Sequence, residues 1–154
     1  MTTTPSQLDQ HLATARSTLA RLDPADAYAA TQLGSLLVDI RPEFQRRRDG
    51  EIPAAIIVER NHLEWRLHPD SPARIPEATG ANIPWIVICD EGYASSLAAA
   101  VLQELGLRHA TDVVGGVRAW RGAGLPLGAP GDLNRVPPTE SRVLRGRSAR
   151  VIAS

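Results

Sequence analysis

The chain has 154 residues, 43% of them apolar, and a formal net charge of zero. That length suits one domain with a real core, and zero net charge gives no global field to draw in nucleic acid or an anionic membrane. All 17 basic residues are arginine, which excludes Schiff-base chemistry on a lysine, and a single cysteine excludes an internal disulfide.

The start, Met1-Thr2-Thr3-Thr4-Pro5, lacks the basic-then-apolar pattern of a secretory signal, and no apolar run approaches membrane-spanning length. A reducing cytoplasm is the expected location. The four histidines are scattered without metal-ligand spacing, so no metal is expected.

Thr4-Pro5-Ser6-Gln7 reads as a helix start, with Thr4 as cap and Gln7 completing a capping box. Leu8, Leu12, Ala15 and Leu19 make its apolar stripe. This helical extension occupies residues 1–21. A second start at Asp23-Pro24-Ala25-Asp26 predicts a helix to about Gln32, stopped at Gly34. Ser35 to Ile40 predicts a strand that ends on Asp39, and Arg41-Pro42-Glu43-Phe44 opens a short helix. The run Arg46-Arg47-Arg48 suggests a solvated face. Ala54 to Val58 predicts another strand, and Glu59 to Leu67 a helix with Leu63, Trp65 and Leu67 partly buried. Residues 69–84, rich in proline and polar groups, read as a loop with room for one helical turn.

The central stretch is Ile86-Val87-Ile88-Cys89-Asp90-Glu91-Gly92-Tyr93-Ala94-Ser95-Ser96-Leu97. Its β-branched run predicts a buried strand. Leu97, Ala98, Val101, Leu102 and Leu105 fall on one helical face, and Gly106 supplies the stop. Cys89 therefore sits between a strand's carboxyl end and a helix N-terminus, where an open α/β sheet places its ligand site. A free cysteine is most often a small buried hydrophobe. Here the loop N–H groups and the helix dipole favour a thiolate instead.

Thr111 to Val114 predicts a last strand, Gly115-Gly116 breaks it, and Val117 to Trp120 a short helix. Gly122, Gly124 and Pro126 close the folded part. Strands alternating with helices predict an α/β fold, an open parallel sheet with helices on both faces. From residue 128 to 154 the chain becomes a proline- and arginine-rich tail, expected to be solvated or to meet an acidic partner. No aromatics interleave its arginines, which argues against base stacking.

Four segments together resemble the rhodanese-like sulfurtransferase domain over residues 22–127. They are Leu37-Val38-Asp39-Ile40-Arg41 with Glu43-Phe44, then Gly50-Glu51-Ile52-Pro53-Ala54-Ala55, then Cys89 to Ala94, then Gly115-Gly116-Val117-Arg118-Ala119-Trp120 with Gly124-Leu125-Pro126. Glu59-Arg60-Asn61 to Trp65-Arg66 is similar to a subgroup of single-domain bacterial members. The resemblance implies that Cys89 takes the outer sulfur of thiosulfate or another sulfane donor as a persulfide. The loop residues Asp90, Glu91, Gly92, Tyr93, Ala94 and Ser95 would bind the substrate, with N–H groups from about Glu91 to Ser95 cradling that sulfur, and an acceptor thiol or cyanide would remove it. No cofactor is implied. Asp39 and Arg41 would be structural supports.

The loop departs from the family pattern, since many members carry arginine where Ala94 stands. Asp90 and Glu91 beside a thiolate should oppose it and repel an anionic donor. Arg60, Arg66 or Arg118 could compensate, Arg60 first among them. Two other readings compete. Phosphatases with a Cys-x5-Arg loop need arginine where this chain has Ser95. A binding or regulatory module could keep the fold with little turnover.

Overall fold

The computed structural model describes residues 4–131. Helix α1 (Gln7–Arg16) is capped by Ser6, whose side chain accepts from the Asp9 N–H. The expected cap at Thr4 is thus displaced by two residues to a serine with an acidic residue three positions on. Helix α2 (Pro24–Gln32) starts at the expected Asp23, which accepts from the Asp26 N–H.

Strand β1 (Leu36–Asp39) leads to helix α3 (Glu43–Asp49). Strand β2 is only Ile56–Ile57. The sequence expectation began it at Ala54, but Ala54 has φ 69° and the Ala55 N–H turns back to the Ile52 carbonyl. A 3-10 turn at Arg60–His62 runs into helix α4 (Leu63–Leu67). Between there and strand β3 (Trp85–Ile88) the chain makes turns but no helical segment. Helix α5 (Ala94–Glu104), strand β4 (Thr111–Asp112) and helix α6 (Gly116–Gly122) follow. The last strand is shorter than expected. Beyond Asp112, Val113 makes a single bridge to Leu22.

The four strands are parallel in the order β2-β1-β3-β4. Alternate residues along a strand face opposite sides, and two cores result. Val38, Trp85 and Val87 meet Leu63, Leu67, Ala98 and Leu102 on the α4/α5 side. Leu37, Ile86 and Ile88 meet Ala27, Val117 and Trp120 on the α2/α6 side. All four residues of β3 are buried, as a strand covered on both faces should be.

Two other expectations change. Trp65 is 61% exposed, while Leu63 and Leu67 are fully buried. Arg46 is buried rather than solvated, because its guanidinium bonds Glu51 at 2.7 Å and the Arg41 carbonyl at 3.4 Å. The Gly128 N–H donates to the Glu51 carbonyl and the Gly131 N–H to that of Arg47. The arginine-rich stretch from residue 132 lies outside the described residues. Among those described, no helix is long and apolar enough to cross a membrane.

Candidate active site

The connections leave β1 toward β2 on one side and β3 toward β4 on the other, so the carboxyl ends of β1 and β3 part at a switch point. A cleft of about 370 Å³ opens there, lined by Ile40, Arg41 and Pro42 after β1, Arg60 after β2, and Cys89, Asp90, Glu91, Tyr93 and Ala94 after β3. Cys89 is free and 7% exposed.

Its Sγ accepts the Gly92 N–H at 3.1 Å and the Ser95 N–H at 3.3 Å. Helix α5 has no side-chain cap at Tyr93. Ser95 holds the second helical position, whose N–H an N-cap side chain usually takes. Here the sulfur takes it. A sulfur at this position faces the positive end of the α5 dipole, an effect of roughly 0.3–1 kcal/mol for an anion. The Ser95 Oγ turns the other way, donating to Asp112 at 2.8 Å. Tyr93 is 57% exposed at the mouth.

Backbone contacts set the loop's shape. Gly92 has φ +90°, and a Cβ there would stand 2.8 Å from the Gly115 nitrogen. Gly116, at φ +60°, lies so close under the loop that a Cβ would come 2.5 Å from the Cys89 carbonyl oxygen. This approach lets the Val117 N–H donate to the Cys89 carbonyl at 2.8 Å and the Arg118 N–H to that of Asp90 at 3.1 Å.

Arg118 and Arg48 pair with the loop carboxylates. Arg118 Nε lies 3.3 Å from Asp90 Oδ2 and 3.5 Å from Glu91 Oε1, and Arg48 Nη2 lies 3.4 Å from Asp90 Oδ2. The repulsion expected from Asp90 and Glu91 is therefore partly neutralised. Arg48 also holds the Asp49 carboxyl below the usual range, chiefly through their side-chain hydrogen bond. Arg60 lines the cleft but pairs with Glu64 at 3.0 Å. Arg66 is elsewhere, donating to the Ala73 carbonyl. Arg41 is buried, bonded through Nε and Nη2 to Asp39 and through Nη2 to the Gly50 carbonyl, which ties the end of β1 to the turn before β2.

A further set of contacts behind the loop was not foreseen from sequence. Arg16 Nη2 donates to the Gly92 carbonyl at 2.7 Å and Arg16 Nε to Ser96 Oγ at 3.0 Å. Arg21 Nη2 donates to the same carbonyl at 3.1 Å while Arg21 Nε binds Asp112 at 2.8 Å. Asp112 is fully buried and also accepts from Ser96 Oγ at 2.7 Å. No local pattern announces this set, in which bonded partners lie up to 91 residues apart. Among the described residues no cluster of three or more His, Cys, Asp or Glu could hold a metal.

The rhodanese-like domain family matches residues 23–123. The thiosulfate sulfurtransferase GlpE of Pseudomonas syringae is 31% identical over 103 residues, 66% of this chain and 86% of that protein. The GlpE of Stutzerimonas stutzeri is 32% identical over 66% of this chain and 84% of its own. Among solved structures, a Rhodopseudomonas palustris protein of unknown function, described as a possible tyrosine phosphatase, superposes with TM-score 0.72 at 33% identity, covering 82% of this chain and 98% of that one. The polysulfide-sulfur transferase homodimer of Wolinella succinogenes has TM-score 0.65 at 22% identity over 82% of this chain and 90% of its own, a likeness of fold.

Proposed function

The chain belongs to the rhodanese-like domain family, and from that premise we propose that it is a sulfurtransferase working through a persulfide on Cys89. The observation that carries the reading is the seat of the Cys89 sulfur, which accepts the Gly92 and Ser95 N–H groups at the floor of the cleft. A sulfur so seated opens into the cleft, with room beyond Sγ for the outer sulfur of a persulfide.

In the first half-reaction the Cys89 thiolate attacks the outer sulfur of thiosulfate or of a persulfide donor. A new S–S bond forms and the donor's S–S bond breaks. Sulfite, or the donor's thiolate, leaves with the electron pair. In the second, an acceptor thiolate or cyanide attacks the outer sulfur and Cys89 departs as thiolate. This is covalent catalysis with ping-pong kinetics. The Gly92 and Ser95 N–H groups hold the charge on Sγ when Cys89 is a thiolate, and the loop N–H groups around the cleft are there to meet the outer sulfur of the persulfide. Arg118 and Arg48 moderate the Asp90 and Glu91 charges, and Arg60, paired with Glu64, lines the cleft. Asp39 and Arg41 support the floor from outside the chemistry.

A phosphatase reading lacks its clamp. The position six residues after Cys89 is Ser95, whose hydroxyl is committed to Asp112. A binding module without turnover is the remaining alternative, and one experiment separates the two. Intact mass after incubation with thiosulfate should show the gain of one sulfur atom, removable by cyanide and missing in Cys89→Ser. A wild-type protein left unmodified by thiosulfate, polysulfide and small persulfides would overturn the proposal.

A further inference from the structure

We infer that Arg16 and Arg21, both N-terminal to the matched family segment, are positioning residues for the active-site loop. The inference rests on the reading of Cys89 as the sulfur-carrying nucleophile. Its core is that two guanidinium groups from the extension converge on one backbone atom, the Gly92 carbonyl oxygen, at 2.7 and 3.1 Å. The N–H of that same residue donates to Cys89 Sγ.

A peptide plane is rigid and trans, so its C=O and N–H point in opposite directions. Among the described residues no peptide is cis. Holding the Gly92 carbonyl against the arginines therefore turns the following N–H, that of Tyr93, away from them. Gly92 is also the residue best able to flip, since it has no Cβ and already sits at φ +90°. A flip of the Gly92–Tyr93 peptide would break both arginine bonds and turn the backbone of Gly92, the residue whose own N–H donates to the sulfur. The two arginines oppose it.

The surrounding bonds fix the arginines in turn. Arg21 is forked onto the buried Asp112, which also takes the Ser95 and Ser96 hydroxyls. Ser95 supplies the second N–H to the sulfur. One buried carboxylate thus ties the extension to the first turn of α5. The Arg16 guanidinium lies 5.6 Å from the Tyr93 ring centroid, a cation–π contact.

Arg16 also differs from the other charged groups around the loop. Asp90 and Glu91 face Arg48 and Arg118, Arg60 faces Glu64, Arg41 faces Asp39, and Arg21 faces Asp112. Among the described residues Arg16 has no carboxylate partner. Its hydrogen bonds go to a carbonyl and a hydroxyl. It therefore leaves a net positive charge at the back of a loop that must hold a thiolate and then a persulfide.

The test compares wild type with Arg16→Ala, Arg16→Lys and Arg21→Lys in the full chain. Three quantities are read: the single-turnover rate of persulfide formation from thiosulfate, the pH profile of Cys89 alkylation by iodoacetamide, and the melting temperature. Losing a charged hydrogen bond to the loop should slow persulfide formation about tenfold in Arg16→Ala. Its alkylation midpoint should move to higher pH by roughly half a unit. Arg16→Lys should recover the midpoint, which follows charge, more fully than the rate, which follows the fork geometry. Arg21→Lys should keep the fold through Asp112 and still slow the rate. Wild-type rate and midpoint in both Arg16→Ala and Arg21→Lys would overturn the inference. So would a loss that tracks melting temperature alone and vanishes when assayed well below it. A wild type that accepts no sulfur would sink the proposed function instead, and the alkylation profiles would still decide the role of the arginines.

Discussion

Arg118 offers the sharpest test of the loop electrostatics. Its backbone is fixed by the bond from its own N–H to the Asp90 carbonyl and by the Val117 N–H bond to Cys89. Arg118→Ala should therefore remove a charge and leave the loop in place. Asp90 keeps Arg48 at 3.4 Å, whereas Glu91 loses the arginine at 3.5 Å. A unit charge roughly 7 Å from the sulfur is worth about 0.6 kcal/mol at the dielectric of water and about 2.4 kcal/mol at an effective value near 20. The Arg118 and Glu91 side chains are 56% and 47% exposed, which favours the lower half of that range, about 1 kcal/mol or fivefold in rate. Thiosulfate, a dianion, feels the uncovered carboxylate as well, so its kcat/KM should fall roughly tenfold to thirtyfold at low salt. Neutral iodoacetamide should lose only the smaller factor. Both losses should shrink in about 1 M salt, where screening acts over about 3 Å. Adding Glu91→Gln to Arg118→Ala should recover most of the thiosulfate rate. A thiosulfate kcat/KM within twofold of wild type at low salt, or a loss equal for both reagents and blind to salt, would refute the reasoning.

Two stability predictions follow from backbone geometry. Ala54 is exposed and left-handed at φ 69°, so Ala54→Gly should relieve strain and stabilise by about 0.5–1 kcal/mol net of glycine's entropy, roughly 1–4 °C in melting temperature. A lower melting temperature would contradict that. Gly116→Ala must push its Cβ into the Cys89 and Asp90 carbonyls, and should cost several kcal/mol together with persulfide formation. Gly124→Ala has open space at φ +73° and should cost only about 1–2 kcal/mol. Chemical denaturation of the two variants measures the contrast, and equal costs would count against a tight fit beneath the loop.

Much of the frame is legible because its signals are local. The apolar run ending at Ile88 and the capped start at Asp23 need no tertiary information, and both elements occur where expected. Errors arise where neighbours decide. In a five-residue helix, Leu63 and Leu67 are four apart and share one face, which leaves Trp65 on the other, in solvent. Arg46 looks like one of three equivalent charges until Glu51 folds back beside it. At the candidate site, the place of Cys89 is readable from strand, glycine and helix order, whereas which of the loop N–H groups reach its Sγ, those of Gly92 and Ser95, is not. Arg16, Arg21 and Asp112 are not readable either, because the packing of α1 on α5 brings Arg16 to the Gly92 carbonyl, and the pairing of Leu22 beside β4 brings Arg21 to the same atom and to Asp112. Arg118 is intermediate. Its sequence position allowed a compensating role, but the α6 backbone anchoring had to be seen.

The sulfur held by Gly92 and Ser95 belongs to the one thiol in these 154 residues. A cysteine oxidised to sulfenic acid is ordinarily rescued by condensing with a second thiol before the irreversible steps. This chain supplies no such resolving partner. Recovery from peroxide must therefore come from outside, through a cleft of about 370 Å³ bordered by Tyr93 and Arg60. The opening that admits a sulfur acceptor is thus also the filter for whatever reductant repairs the protein.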